Sequence, residues 1–281
     1  MTHFFLDDKL ICSLFMPIIL NIETATDVCS ICVSKGGEVL SLREIMGNNH
    51  VSRITLLIEA CLKDANLGMR DLAAVAISDG PGSYTSLRIG AATAKGICYA
   101  MDIPLIAVDT LESLALESLR LLRWKGEGLV GDVEESVLEE KREGYMKNKT
   151  NNKALHKTFI CPMVDARRME VYTSLFEIKA SVVEGGEDEM MVVEPLQALV
   201  VDGNSFSSYF DRGAVIHFCG NGAEKCRSVL PSPLAAYDSI VCSAQYLVPL
   251  SRKAYMTNHF VSVAYHTPRY YKEPNITSSK K

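Results

Sequence analysis

The sequence lacks the short motifs that mark several large enzyme classes. It contains no Walker A sequence, no GxGxxG fingerprint, no GxSxG elbow and no HExxH pair, which argues against hydrolase and dehydrogenase functions. No apolar run reaches the roughly eighteen residues that a membrane-spanning helix requires. An excess of basic residues is also missing, because 29 lysines and arginines face 34 acidic residues for a net charge of −5. This balance argues against a protein that holds nucleic acid by phosphate contacts alone.

A secreted disulfide framework is the next missing feature. The nine cysteines are odd in number and are scattered between Cys12 and Cys242, without the dense, even spacing of small exported domains. Cys29 and Cys32 have CxxC spacing, but residues three apart in a strand point to opposite faces of a sheet. We therefore expect neither metal binding nor redox chemistry from this pair, and we expect a reducing, cytoplasmic location for the chain.

The mostly apolar residues 10–20, which follow Lys9, resemble the apolar region of a signal peptide. Two acidic residues, Asp7 and Asp8, precede that region, and Pro17 interrupts the apolar run, so a signal peptide is not predicted. Translation from Met16 would begin directly on a strand-like segment. Residues 1–15 are therefore expected to be a disordered extension or a mis-assigned start.

The first lobe is predicted over residues 16–123. The length of 281 residues is typical of two domains or of one domain with two lobes. Period-two segments followed by alternating helix-like and strand-like segments predict an α/β lobe that begins with an antiparallel meander. The expected strands cover 18–23, 28–34, 39–44, 72–78 and 104–109, and the expected helices cover 50–65, 87–101 and 110–123.

A second lobe is predicted over residues 158–271. Residues 124–157 carry many charges of both signs and few large apolar side chains, which is typical of a solvated insertion or linker. Strands are expected at 158–165, 170–178, 190–193 and 214–219, and helices at 205–210 and 239–255. The last helix could pack back on the first lobe, and residues 272–281 form a polar tail. Both halves begin with strands that meet at a turn with an acidic residue, so the two halves of the sequence show a weak internal similarity.

The segment Asp79-Gly-Pro-Gly-Ser-Tyr-Thr-Ser86 separates a predicted buried strand from a helix. Gly80 and Gly82 permit tight backbone geometry, and Ser83 or Thr85 could cap the helix. Because the first N–H groups of a helix attract anions, the turn could bind a phosphate or a carboxylate of a partner. A rigid turn that caps its own helix explains the same residues equally well.

Other polar residues give weaker indications. Thr24 and Thr26 supply hydroxyls near the first strand turn, where they suit phosphate contact, although hydroxyls are common in turns. His50 begins a predicted helix, where a metal site would need a second ligand one turn later. Position 54 is Ile54, so no metal site is predicted, and no catalytic residue stands out.

Several of these motifs together resemble the TsaB family, also called YeaZ, over residues 16–271. The resemblance rests on Ile19-Leu-Asn-Ile-Glu-Thr-Ala-Thr26, on His50 at a helix start, on the run from Ile77 to Gly90, on Asp165-Ala-Arg-Arg-Met-Glu-Val-Tyr172 and on Gly220-Asn-Gly-Ala223. It implies a two-lobe, actin-like α/β fold with a duplicated, RNase H-like core. Such a duplication would explain the weak similarity between the two halves of the sequence.

The resemblance also implies a function. TsaB-like proteins assist TsaD, which with the ATPase TsaE transfers a threonylcarbamoyl group to the adenosine beside the anticodon of tRNAs that read ANN codons. ATP, magnesium and a metal ion are then expected in the partner proteins, not in this chain, which would be a non-catalytic subunit. The alternatives are an independent ATPase or kinase, or an M22-like metallopeptidase of the same fold. A homodimer is also expected when TsaD is absent.

The same resemblance implies that the partner binds the helices at 50–65 and 87–101. Six residues on these helices are the candidate contacts, namely His50, Leu57, Cys61, Arg88, Ala91 and Ala94. Two positions depart from the family pattern. Glu23 replaces the usual aspartate of the first phosphate loop, which argues further against metal-nucleotide binding, and Ser86 replaces a frequent glycine, which would strain a backbone with positive φ.

Overall fold

The computed structural model describes residues 16–47, 53–124, 157–179 and 188–271. The chain divides into two compact units, one formed by Met1–Ser113 with Cys242–Lys281 and the other by Leu114–Val241. The expectations for residues 1–15, for residues 125–156 of the insertion, for the 272–281 tail and for His50 lie outside the described residues.

The first unit contains a five-stranded mixed sheet of order β3-β2-β1-β4-β5. β1, β2 and β3 are antiparallel neighbours, as the predicted meander requires, whereas β4 and β5 continue the sheet in parallel with β1. The strands are β1 Ile18–Glu23, β2 Val28–Lys35, β3 Glu38–Met46, β4 Ala74–Ser78 and β5 Leu105–Val108.

Helices cover both faces of this sheet. Even positions of β1 and odd positions of β4 pack against helices α1 (Ile54–Asp64) and α2 (Tyr84–Met101). The odd positions of β1 and the even positions of β4 lie on the other face of the sheet, against a 3-10 turn at Ala244–Leu247 and helix α6 (Val248–Met256). Period-two alternation produces this division, because successive side chains of a strand point to opposite faces. Cys29 and Cys32 accordingly lie in separate cores, as predicted.

The second unit contains another five-stranded mixed sheet, of order β10-β9-β6-β7-β8. Its core is rich in aromatic contacts, among them Phe206 against Phe218 and Phe218 against Tyr237. The strands are β6 Thr158–Asp165, β7 Glu170–Lys179, β8 Glu189–Val200, β9 Val215–Cys219 and β10 Ala235–Tyr237. β8 is longer than the predicted segment 190–193, and β10 was not predicted. Short helices α4 (Ser207–Phe210) and α5 (Ala223–Cys226) complete this unit.

The helix expected at 110–123 is α3 (Thr110–Trp124), and Asp109 caps it, because its Oδ1 accepts the N–H groups of Leu111 and Glu112. One predicted helix start is wrong. The helix expected from residue 239 is regular only from Val248, after the 3-10 turn. Pro249 in its first turn explains the start, since proline lacks the N–H that an earlier turn would require. No helix among the described residues is long and apolar enough to span a membrane.

Candidate functional site

The turn between β4 and α2 folds against the loop that follows β1. The Ser83 N–H donates a hydrogen bond to the Ala25 carbonyl at 2.6 Å, and the Thr24 N–H donates to Ser78 Oγ at 3.2 Å. Helix α2 starts at Tyr84, and its Ser83 cap makes no side-chain hydrogen bond. Ser83 thus occupies the N-cap position of α2, but its side chain does not cap the helix, and its backbone N–H is directed to the neighbouring loop.

The two loops that were predicted to contact phosphate are in direct contact with each other. A Cβ on Gly82 would overlap the Ala25 carbonyl oxygen, and a Cβ on Gly90 would overlap Thr24 Oγ1. Thr24 and Thr26 are buried. The structure thus brings Thr24 to the same place as Gly82 and Ser83, but as a close-packed junction. Thr85 and Ser83 remain exposed.

Replacing Gly82 by alanine is expected to lower the free energy of unfolding by about 2 kcal/mol, because the added methyl group meets backbone atoms that cannot rotate away. Urea denaturation at constant pH measures the loss. Gly68→Ala is the matched control, since its Cβ would touch only the Asp71 carboxylate at 3.7 Å. An equal, small effect of both substitutions would contradict the close packing of the two loops.

Glu23 is a buried carboxylate at the end of β1. One oxygen, Oε1, accepts the Ala25 N–H at 2.6 Å, whereas Oε2 is buried without a hydrogen-bond partner among the described residues. Burial raises the pKa of Glu23 to about 7, although hydrogen bonds from Ala25 and Ser78 act in the opposite direction. Because a metal ligand must be deprotonated, magnesium binding at Glu23 would have to displace this proton.

A segment near the C-terminus, which we call the C-terminal strap (residues 262–271), holds the Asp79 side of the turn. Arg269 Nε lies 2.6 Å from Asp79 Oδ2, and a second guanidinium nitrogen lies 3.1 Å from Asp109 Oδ2. His266 Nε2 lies 3.0 Å from Asp79 Oδ1, without hydrogen-bond geometry. The Arg269 N–H also donates to the Asp79 carbonyl at 2.9 Å. Sequence reasoning missed this cluster, since no local pattern connects positions 79 and 269.

The Asp165-Ala-Arg-Arg element forms the turn between β6 and β7. Arg167 and Arg168 both have positive φ, at 73° and 51°. Asp165 stabilises the turn, because its Oδ1 accepts the Arg167 N–H and pairs with Lys225. Its own N–H donates to Asn221 Oδ1 at 3.0 Å. Two of the motifs quoted for the resemblance therefore form one structural element of the second unit.

Most of the candidate partner contacts are internal. The side chains of Leu57, Cys61, Ala91 and Ala94 lie in the core between the sheet and the two helices, so here they support the helices and are not accessible to a partner. Arg88 is exposed. Ser86, for which strain was considered, lies within α2 and does not adopt positive φ.

An apolar groove of about 420 Å³ lies between α1 and α2, and we call it the α1–α2 groove. The groove is open because Ala92, Gly96 and Ala100 of α2 have side chains too small to fill it. Ile58, Met69 and Ile97 are prominent among its other lining residues. Leu56 and Ile89 on the same helices are exposed by 60% and 37%. Such an open apolar surface is typical of a protein-binding site.

No group of three or more potential metal ligands occurs in residues 16–47, 53–124, 157–179 and 188–271. The cysteines in these ranges are free and buried. Burial raises the pKa of Cys29 to about 11 and that of Cys32 to about 12, so both thiols stay protonated at neutral pH.

Part of the chain is similar in sequence to known proteins. A model of the TsaD family, described as tRNA N6-adenosine threonylcarbamoyltransferase, matches residues 39–121. The chain is 32% identical over 103 residues to a Haemophilus influenzae protein named tRNA threonylcarbamoyladenosine biosynthesis protein TsaB, covering 37% of this chain and 44% of that protein. It is 27% identical over 177 residues to the Escherichia coli protein of the same name, covering 63% and 62%. The chain thus spans about half the length of these curated relatives.

The fold gives an independent comparison. YeaZ from Pseudomonas aeruginosa superposes with a TM-score of 0.64 at 21% identity, covering 91% of this chain and 100% of that chain. The expected two-lobe, actin-like α/β fold is confirmed by this likeness. Sequence motifs, curated relatives and fold therefore agree that the chain is similar to TsaB/YeaZ proteins.

Proposed function

We propose that the chain is the non-catalytic partner of a TsaD-like protein in tRNA threonylcarbamoylation. The complex would transfer a threonylcarbamoyl group to the adenosine adjacent to the anticodon of tRNAs that read ANN codons. The observation that carries the proposal is the open apolar α1–α2 groove. It lies on the part of the chain that the TsaD family model matches, residues 39–121. A TsaD-like lobe would present similar helices, so two related surfaces could pack helix against helix.

Three features support a scaffold without its own active site. The loops around Ala25 and Gly82 are packed against each other, which leaves no space for a phosphate between them. Burial raises the pKa of Glu23 to about 7, so magnesium would have to displace a proton from this carboxyl group. Ile54 occupies the place where a second histidine would complete a pair with His50. ATP, magnesium and the metal ion would then belong to the partner proteins.

The wider assembly would include a TsaE-like ATPase, with tRNA bound through the complex. When the TsaD-like protein is missing, the exposed α1–α2 groove would favour a homodimer, because an uncovered apolar surface tends to associate. The free, buried cysteines among the described residues fit a reducing compartment, and we place the protein in the cytoplasm.

Reconstitution from purified components tests the proposal. The TsaD-like and TsaE-like proteins of the same cell are incubated with tRNA, ATP and the threonylcarbamoyl-AMP donor, with and without this chain. We expect modified tRNA only when the chain is present. The isolated chain is assayed in parallel for Mg-ATP binding, ATP hydrolysis and peptide cleavage.

The alternative is an independent ATPase, kinase or M22-like metallopeptidase. Tight binding of Mg-ATP by the chain alone, with turnover, would favour the first two. Metal-dependent peptide cleavage would favour the third. If either activity appears and the reconstituted transfer proceeds equally well without the chain, the scaffold proposal is wrong.

A further inference from the structure

One side of α2 carries a row of basic and aromatic residues. Tyr84, Arg88, Lys95 and Tyr99 are spaced by four, seven and four positions, which places them on one face of the helix. This face lies between the buried face of α2 and the face that lines the α1–α2 groove. We call these four residues, together with Tyr265 and Tyr270 of the C-terminal strap, the aromatic–basic stripe.

The strap and the helix are joined directly along this stripe. Lys95 Nζ donates to the carbonyl oxygens of Ala264 and His266 at 3.0 and 3.1 Å. The rings of Tyr84 and Tyr270 pack with centroids 4.4 Å apart, and the Arg88 guanidinium lies 4.6 Å from the Tyr84 centroid. The stripe is thus one continuous surface built from two distant segments of the chain.

The stripe has an unusual charge for this protein. Helix α2 contains no acidic residue, and neither do residues 257–271. Among the described residues no carboxylate pairs with Arg88 or Lys95, whereas the charge of Arg269 is balanced by Asp79 and Asp109. A local excess of positive charge therefore occurs in a chain whose net charge is −5.

Two large aromatic side chains of the stripe are almost fully exposed. Tyr99 is exposed by 86% and Tyr265 by 88%. Such exposure costs hydrophobic free energy, because each ring could bury a large apolar area. Exposed rings interleaved with cations are the combination that binds single-stranded nucleic acid: bases stack on the rings while the cations contact the phosphates.

We infer that the aromatic–basic stripe binds single-stranded RNA. The inference rests on the proposed function, in which the complex acts on a tRNA loop, and it gives this chain a direct contact with that loop. The stripe adjoins the α1–α2 groove on the same helix, so an RNA held by a protein docked in the groove would lie within its reach. The overall charge of −5 argues against RNA binding by phosphate contacts alone. Stacking of bases on the aromatic rings would add to the affinity for RNA.

Fluorescence anisotropy with a labelled anticodon stem–loop, and with a short oligouridine, tests the inference on the full chain and on its complex with the TsaD-like protein. Tyr99→Ala and Tyr265→Ala should each weaken binding about fivefold or more, the usual result of removing one stacking ring. Tyr99→Phe and Tyr265→Phe should retain affinity, since they keep the ring. Arg88→Ala should also lower the slope of log affinity against log salt by about 0.7.

Arg212→Ala provides the matched control, because Arg212 is an exposed arginine of the second unit. Thermal unfolding of each variant shows whether the lobe stays intact. RNA affinities equal to wild type for all three alanine variants would overturn the inference. So would unchanged RNA affinity combined with weakened binding of the TsaD-like protein, which would assign the stripe to a protein partner. A chain that forms no complex with that protein under any condition would refute the proposed function instead.

Discussion

Replacing Gly96 by arginine is expected to weaken binding of the TsaD-like protein by about a hundredfold or more. Gly96 is an exposed residue of the α1–α2 groove, and a Cβ there would meet nothing within 4 Å. The arginine would therefore be accommodated in the free chain. In the complex its charge would be desolvated against apolar surface, at a cost above the 2.7 kcal/mol or so that a hundredfold loss represents. Co-purification and titration calorimetry measure the loss.

Gly96→Ala is the matched control for this substitution. Alanine at a helix interior gains about 1 kcal/mol over glycine, so this variant should be more stable than the wild type. Its small methyl group should leave partner binding nearly unchanged. Retention of full affinity by Gly96→Arg, with the lobe folded, would show that the partner binds elsewhere. Substitutions at Ala94 would not separate binding from folding, because that side chain is buried in the core.

Glu23→Gln is expected to raise the free energy of unfolding at pH 8 by about 3 kcal/mol. The folded-state pKa of Glu23, about 7, lies above its ordinary value of 4.5. Between these two values the folded chain binds a proton that the unfolded chain has lost, so stability falls as the pH rises through this range. Each tenfold change in proton affinity corresponds to about 1.4 kcal/mol. The loss of stability caused by the raised pKa of Glu23 is nearly complete above pH 7. Glutamine removes it, and its Oε1 can still accept the Ala25 N–H.

Urea denaturation of both proteins at several pH values between 4 and 8 measures this effect. The stability of the wild type should fall with rising pH relative to the Glu23→Gln variant, and the two should approach each other near pH 4. Glu59→Gln makes the same change of charge at an exposed position of α1 and should leave the pH profile unaltered. A constant difference between wild type and Glu23→Gln at all pH values would show that folding does not shift the pKa of Glu23.

The regular elements of both units could be predicted because they depend on local pattern. In β1, Leu20 and Ile22 are two positions apart and so share one face, which is the pattern of a strand. In α1, the spacing of Leu57, Ile58 and Cys61 specifies the buried face of a helix. The motif run from Ile77 to Gly90 was sufficient to locate the strand, the turn and the helix that meet at the candidate site.

Contacts between distant residues could not be predicted. Arg269 pairs with Asp79, 190 positions earlier in the sequence, and no short-range pattern predicts that the C-terminal strap contacts the turn between β4 and α2. The hydrogen bond from Ser83 to Ala25 was likewise invisible, since Ser83 is equally suited to capping its own helix. Helical periodicity did identify the buried face of α1, but it could not show that Gly96 of α2 lines a groove beside α1.

The central claim is that this chain supports threonylcarbamoylation of tRNA by presenting the α1–α2 groove to a TsaD-like protein. The most direct test depletes the chain from its own cells, restores it as wild type, Gly96→Ala or Gly96→Arg, and measures threonylcarbamoyladenosine in hydrolysed tRNA by mass spectrometry. The account predicts that the modified nucleoside is lost on depletion, returns with wild type and Gly96→Ala, and stays low with Gly96→Arg. Undiminished modification in the depleted cells would contradict the function, and full restoration by Gly96→Arg would contradict the groove as the contact surface.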